Sequence, residues 1–194
     1  MKEPLEEVAA LQALAFPPPF PSELHWQAEH LRAHLEVFPD GQFVAKVGNR
    51  VVASCSNCVI DESNWESHKS WSQTVGGPFI KNHDPSGSTL YGLDITVHPD
   101  FRRLGIGRSF YRARFQYVRL NGLTRFGTAC RLPDFQNSGL ESQEEYVRSV
   151  ISGELTDRTL TPLLRYGMNF KAILPNYLED PESGNAAALL EWKP

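Results

Sequence analysis

Apolar residues recur at helical spacing over residues 4–16, where Leu5, Val8, Leu11 or Gln12, and Ala15 share one face. The run Pro17-Pro18-Pro19-Phe20-Pro21 stops that pattern, since proline lacks an N–H and cannot continue a helix; it reads as a stiff connector. Ser22 is placed to cap a second helix over 23–37, anchored by Leu24, Leu31, Leu35 and Phe38 and ended by Phe38-Pro39-Asp40-Gly41. The period then falls to two. Residues 42–47 and 51–60, joined by Gly48-Asn49-Arg50, predict a hairpin, and 90–97 predicts a strand with Tyr91, Leu93, Ile95 and Val97 alternating. Helical spacing returns over 105–121: at about 100° per residue, Ile106, Phe110, Ala113, Tyr117 and Leu120 fall within about 80° of one another, opposite Arg108, Arg112 and Arg119. Residues 123–131, 170–177 and 186–192 predict further strands. Ser142 caps a helix near 143–152, and a shorter helix reaches Tyr166.

Residues 61–88 follow neither period. This polar stretch is too long for an ordinary connection and holds Trp65, Trp71 and Phe79 among Gly76, Gly77 and Gly87. Aromatic groups in such a loop must cover either core or ligand, and the segment is expected to form one wall of a binding site.

Composition adds bounds. The chain has 194 residues, 41% of them hydrophobic and 22% charged, which suits one globular domain over 1–194. No apolar run is long enough to span a membrane, and Lys2 to Ala15 carries Glu3, Glu6 and Glu7 where a signal peptide would be apolar. Three cysteines suit a reducing compartment, so a cytoplasmic protein is expected. Net charge is −4, yet no acidic residue lies between Phe101 and Pro133, where eight arginines occur at 102, 103, 108, 112, 114, 119, 125 and 131. Such a pole would attract a polyanion. The pI near 5.9 and the lack of a reader motif argue against nucleic acid.

The chemistry concentrates in Leu93-Asp-Ile-Thr-Val-His-Pro-Asp-Phe-Arg102-Arg-Leu-Gly-Ile-Gly-Arg108, a strand joined to a helix by an Arg-x-x-Gly-x-Gly turn. Such a turn leaves backbone N–H groups unpaired at a helix start, where the helix dipole also favours an anion, and Gly105 and Gly107 let a pyrophosphate approach the backbone. The spacing fits neither the dinucleotide pattern nor the Walker pattern. It resembles the [RQ]-x-x-G-x-[GA] acyl-CoA signature of the GNAT superfamily of N-acetyltransferases. Tyr91-Gly-Leu-Asp-Ile-Thr-Val-His-Pro, Glu145-Tyr-Val and Leu174-Pro-Asn-Tyr-Leu are further similar to the GNAT-like module found beside nitrilase-type carbon-nitrogen hydrolase domains.

The resemblance implies an α/β (α+β) GNAT fold: a central, mixed, mostly antiparallel twisted sheet of six to seven strands, flanked by helices and splayed at the acyl-CoA site. It implies acetyl-CoA as co-substrate, with Ile95 and Val97 offering backbone groups to the pantetheine arm and the loop Arg102, Arg103, Leu104, Gly105, Ile106, Gly107 and Arg108 holding the pyrophosphate. The acceptor is an unidentified amine, and acetyl transfer requires that amine to be neutral. Asp94 or His98 is the candidate base, with Thr96 able to orient a water; Asp94 is equally suited to a structural role. The tyrosine that many relatives use to protonate the leaving thiolate falls at Leu163, Met168 replaces a phenylalanine, and Thr156 stands nearest a common asparagine. Tyr166 or Tyr177 is the candidate substitute.

Cys55 and Cys58 point to opposite faces of a strand, and His25, His30 and His34 lack a third ligand on their helix, so no metal site is expected and the histidines read as surface residues. The expected activity is acetyl-CoA-dependent N-acetylation of a small molecule or a protein amine. The alternative is a non-catalytic acyl-CoA sensor or a module docked on a nitrilase-type hydrolase. Neither a nucleic-acid nor a membrane partner is expected, and a homodimer is left open.

Overall fold

The computed structural model describes residues 4–194. Six strands form one sheet: β1 (Phe43–Val47), β2 (Arg50–Ile60), β3 (Thr89–Val97), β4 (Arg125–Cys130), β5 (Asn169–Leu174) and β6 (Ala187–Trp192), in the order β1-β2-β3-β4-β6-β5. All neighbours are antiparallel except β3 and β4. A parallel pair needs a crossover, and the helix α5 below supplies it. The helices are α1 (Pro4–Ala15), α2 (Ala28–Val37), α3 (Glu62–Glu66), α4 (Trp71–Val75), α5 (Ile106–Leu120), α6 (Gln143–Ser152) and α7 (Leu160–Arg165). Alternation along β2 sets Ala53 and Cys55 against Phe110 and Ile106 of α5 and leaves Ser54 and Ser56 facing a cavity under α1 and α2. No helix among the described residues is long and apolar enough to cross a membrane.

Three expectations are corrected. Ser22 starts only a single turn of 3-10 helix, Ser22–Leu24, and α2 begins at Ala28, where the Gln27 amide donates to His30 Nδ1 at 3.2 Å. Burying Trp26 edge-on against His34, ring centroids 4.9 Å apart, takes the chain out of helix at residues 25–27 and turns α2 so that Leu35 is exposed and His34 buried. On α5 the buried residues are Phe110, Tyr111, Arg114 and Val118 while Leu120 is exposed, because an arginine, not an apolar side chain, sits at the centre of the packed face. Finally, β5 ends at Leu174, and Tyr177 instead gives its amide to Asn185 O at 2.8 Å.

Residues 61–88 are built rather than loose. They hold α3, capped by Asp61 accepting from the Asn64 amide at 2.7 Å, and α4, capped by Ser70 accepting from the Gln73 amide at 3.4 Å. Their aromatics separate into three roles: Trp65 is core, Trp71 lines a cavity, and Phe79 stays exposed beside His30. Trp65 fits because Gly127 on β4 lacks a side chain; a Cβ there would stand 2.2 Å from Trp65 Cζ3. Gly127→Ala is therefore expected to cost about 1–3 kcal/mol through overpacking, read as a lowered urea midpoint. An unchanged midpoint would show that Trp65 moves freely.

Candidate active site

The site begins with a fault in the sheet. Asn57 pairs with Gly92 and Ser56 with Asp94, so Leu93 is an extra residue on β3 and forms a bulge. Arg114 reaches from α5 into this bulge: Nη2 donates to Ser56 O at 3.2 Å and Asp94 O at 2.7 Å, and Nε donates to Asn57 Oδ1 at 2.7 Å. The guanidinium is buried, 5.2 and 5.1 Å from the Tyr111 and Phe126 ring centroids. Gly92 makes room for it, since a Cβ there would lie 3.2 Å from Arg114 Cζ and 2.7 Å from Phe126 Cζ. Parallel pairing of β3 with β4 ends at Gly92 and Thr128, where Thr128 Oγ1 donates to Gly92 O at 3.0 Å. Beyond the bulge Asp94 to Val97 pair with β2 alone, and β3 and β4 splay apart.

A cavity of about 230 Å³ fills the split, walled by Phe16, Phe20, Trp26, Trp71, Tyr111 and Tyr177 with Asp94 and Arg114 among its polar groups. The Asp94 carboxylate accepts from the Ser56 amide at 3.2 Å, Gln12 Nε2 at 3.0 Å and Thr96 Oγ1 at 2.9 Å. Gln12 Nε2 also donates to Thr96 Oγ1 at 2.6 Å. Thr96, wholly buried, thus orients the carboxylate instead of a water. Leu11 and Gln12 are both buried, and Gln12 is a site residue that helical spacing alone could not separate from core.

A larger groove of about 720 Å³ continues from this cavity, sharing Phe16, Phe20, Ile95, Arg131 and Thr159 with it. Ile95, Val97, Arg102, Arg103, Gly105, Ile106, Gly107 and Arg108 line it, whereas the Leu104 side chain points to solvent. The chain turns through φ +63° at Arg103 and +82° at Gly105 before α5 starts. Among the described residues, the amides from Arg103 to Arg108 donate to no carbonyl, so an open row of N–H groups meets a helix start. Arg102 anchors the turn by donating to Val97 O at 3.3 Å and to Ala15 O at 3.0 Å. Space around Gly105 is free to at least 4 Å. Gly105→Val is expected to weaken CoA at least about tenfold, because the β-branched side chain enters that space and opposes a positive φ. Titration calorimetry on the folded variant checks this, and unchanged affinity would remove the phosphate role from the turn.

The arginine pole is smaller than the sequence suggests. Arg114 is buried. Arg125 pairs with Glu62 at 2.5 and 2.8 Å, which holds the Glu62 carboxyl below its usual range, and Arg131 forks onto Asp180 at 2.7 Å through Nε and Nη2. These three hold the fold together, and Arg131 also closes one wall of both cavities.

The structure does not bring His98 to the cavity. Its Nε2 is taken by Arg50 at 2.8 Å and its Nδ1 accepts the Asp100 amide at 3.2 Å, capping the turn Pro99–Phe101. Tyr166 lines the groove, half-buried and tilted against Tyr111 with centroids 5.3 Å apart. Leu163, where the resemblance sets a tyrosine, does face the cavity and offers no proton. Tyr177 faces it too, but its hydroxyl is shared with Tyr91 at 2.7 Å, and burial raises its pKa well above the usual phenol value. Of the three histidines, His34 is buried and His25 Nε2 lies 2.9 Å from Phe16 O, against the expectation of a surface position. All three cysteines are free and buried, and burial raises the Cys55 pKa to about 11.

A sheet that splits over a glycine turn at a helix start, with a carboxylate at the base of the split, defines an acyltransferase architecture. The chain belongs to the acetyltransferase (GNAT) family, whose profile matches residues 5–139. It is 36% identical over 190 residues to YkwB of Bacillus subtilis, described as an uncharacterized N-acetyltransferase, covering 97% of this chain and 84% of that protein. It is 35% identical over 175 residues to the probable hydrolase YhcX of the same organism, covering 89% of this chain but only 34% of that protein. Among solved structures, the GphF GNAT-like decarboxylase in complex with isobutyryl-CoA superimposes with a TM-score of 0.82 over 97% of this chain and 94% of that one; at 24% identity this is a likeness of fold.

Proposed function

We propose that this chain, a single acyl-CoA-binding domain over 1–194 working in the cytoplasm, transfers the acetyl group of acetyl-CoA to an amine. The observation that carries this reading is the Asp94 carboxylate, held by Gln12, Thr96 and Ser56 in a cavity continuous with the glycine-turn groove. With the pyrophosphate on the loop amides and the pantetheine along Ile95 and Val97, the thioester reaches the split. Asp94 takes a proton from the ammonium, directly or through water, and the amine attacks the thioester carbon. The tetrahedral intermediate collapses as the C–S bond breaks and the amine nitrogen releases its second proton to solvent, giving amide and CoA thiolate. Tyr166 is the residue on the groove wall with a phenol for that thiolate; much of the acceleration comes from positioning, since a thiolate leaves readily. Thiol release from acetyl-CoA over an amine panel tests the reading, with malonyl-CoA run alongside for release of CO₂. Amine-dependent thiol release supports acetyl transfer, whereas release of CO₂ without amine dependence would replace it.

A second reading is favoured by Leu163 and by the likeness to YhcX: an acyl-CoA sensor or a module that docks on a carbon-nitrogen hydrolase. It predicts acetyl-CoA binding without turnover on any amine.

A further inference from the structure

The groove meets the Asp94 cavity at Phe16, Phe20, Ile95, Arg131 and Thr159, the side chains common to both linings. A pantetheine arm entering from the groove passes this neck to bring its thioester to Asp94, which leaves the far end of the cavity for the acceptor. Leu24, Trp26, Trp71, Tyr177 and Leu178 wall that end, and none of them lines the groove. Trp26 and Trp71 are tilted at 45° with ring centroids 5.7 Å apart, and the Trp71 amide donates to Tyr177 O at 2.9 Å, which ties the two sides of the wall together. Trp71 is only half-buried, so its ring is open to a ligand.

Among the described residues, the cavity lining holds three charged side chains: Asp94, Arg114 and Arg131. Arg114 is buried and committed to three acceptors, and Arg131 stands at the neck, forked onto Asp180. Asp94 is thus the single anion of the lining, and it is half-buried, within reach of a ligand. One ammonium arriving there is balanced, and the indole faces nearby attract the same cation. A second ammonium, as in a polyamine, would meet aromatic walls and two arginines with no carboxylate to pair it. A peptide acceptor would carry backbone N–H and C=O groups into a wall with few partners for them, since the Tyr177 hydroxyl is already shared with Tyr91. An apolar ring suits the far end best.

We propose, resting on acetyl transfer as the reaction, that the acceptor is a primary arylalkyl amine, with one aromatic ring against Trp26 and Trp71 and a short arm that sets its nitrogen at Asp94. The cavity of about 230 Å³ exceeds the roughly 150 Å³ in which an apolar cavity holds benzene, so one ring and the acetyl group fit together. The N–C bond forms and the C–S bond breaks; one ammonium proton passes to Asp94, a second goes to solvent, and CoA leaves as the thiolate. The ring takes no part in these steps, and its burial contributes binding.

The test assays the full chain for thiol release from acetyl-CoA with phenethylamine, ethylamine and spermidine, each rate referred to the neutral amine. The kcat/KM for phenethylamine is expected to exceed that for ethylamine at least about thirtyfold, the scale of burying one phenyl ring, with spermidine no better than ethylamine. Leu24→Glu adds a carboxylate to the far end and should shift the preference toward spermidine at least about tenfold, while Trp71→Ala should cut the preference for phenethylamine over ethylamine at least about fivefold. Calorimetry with acetyl-CoA shows whether each variant is folded. Turnover of ethylamine or spermidine equal to that of phenethylamine, or a preference that neither folded variant alters, would overturn the proposal and leave acetyl transfer standing. Absence of thiol release with every amine would remove acetyl transfer instead, and tryptophan emission of the CoA-bound chain then decides. Saturable quenching by phenethylamine but not by ethylamine supports an arylalkyl amine site, and no quenching overturns it.

Discussion

Asp94→Asn is expected to lower the acetylation rate about a hundredfold or more while leaving acetyl-CoA affinity unchanged, since a positioned general base contributes on that scale. The variant should fold. Asn keeps one oxygen for the Ser56 amide, and the new NH₂ faces Gln12 and Thr96, which can adapt because the Gln12 amide can flip and the Thr96 hydroxyl can rotate to accept. What disappears is the proton acceptor. Steady-state kinetics with a neutral-pH amine substrate, beside calorimetry with acetyl-CoA, separates the two effects. A variant with a normal rate and a lowered melting temperature would make Asp94 a structural carboxylate, anchoring α1 to β3 through Gln12.

The second large effect is expected at Arg114. Arg114→Met keeps an unbranched side chain of similar reach but removes three donated hydrogen bonds, leaving Ser56 O, Asp94 O and Asn57 Oδ1 without their donor inside the protein. Each unsatisfied buried acceptor costs about 1–3 kcal/mol. Because the three share one donor they do not add fully, and a loss of about 3–5 kcal/mol is expected, seen as a melting temperature lower by about 10 °C. The bulge at Leu93 should relax with it, so acetyl-CoA binding in the split should also fall. Arg114→Lys should not restore stability, since an ammonium on a flexible stem cannot present the planar fork that meets these acceptors at once. Stability within about 1 kcal/mol of the parent for the Met variant would show that the bulge holds itself.

Much of the architecture was legible along the chain. Helical and twofold periods located α1, the hairpin, β3 and α5, because those periods are imposed by local backbone geometry and by which face meets water. The glycine turn was legible for the same reason: an open row of amides before a helix is a property of about six consecutive residues. The long segment 61–88 was misread as a loop since its helices have only five residues each, too short for a period to show, and their caps Asp61 and Ser70 also suit turns.

The sequence by itself therefore determined the strands and the longer helices in outline, though neither α3 nor α4, together with the glycine turn and the candidate carboxylate at position 94. Tertiary structure alone decided how that carboxylate is held, through Gln12 lying 82 residues away, and that His98 turns to Arg50 instead of the cavity. It also decided that Arg114, one of eight arginines in a basic stretch, enters the core. The physical reason is that a bulge is a mismatch between two strands, and the acceptors it exposes exist only once β2 and β3 are in register. An arginine that satisfies them looks, in one dimension, like any other charge on a solvated helix.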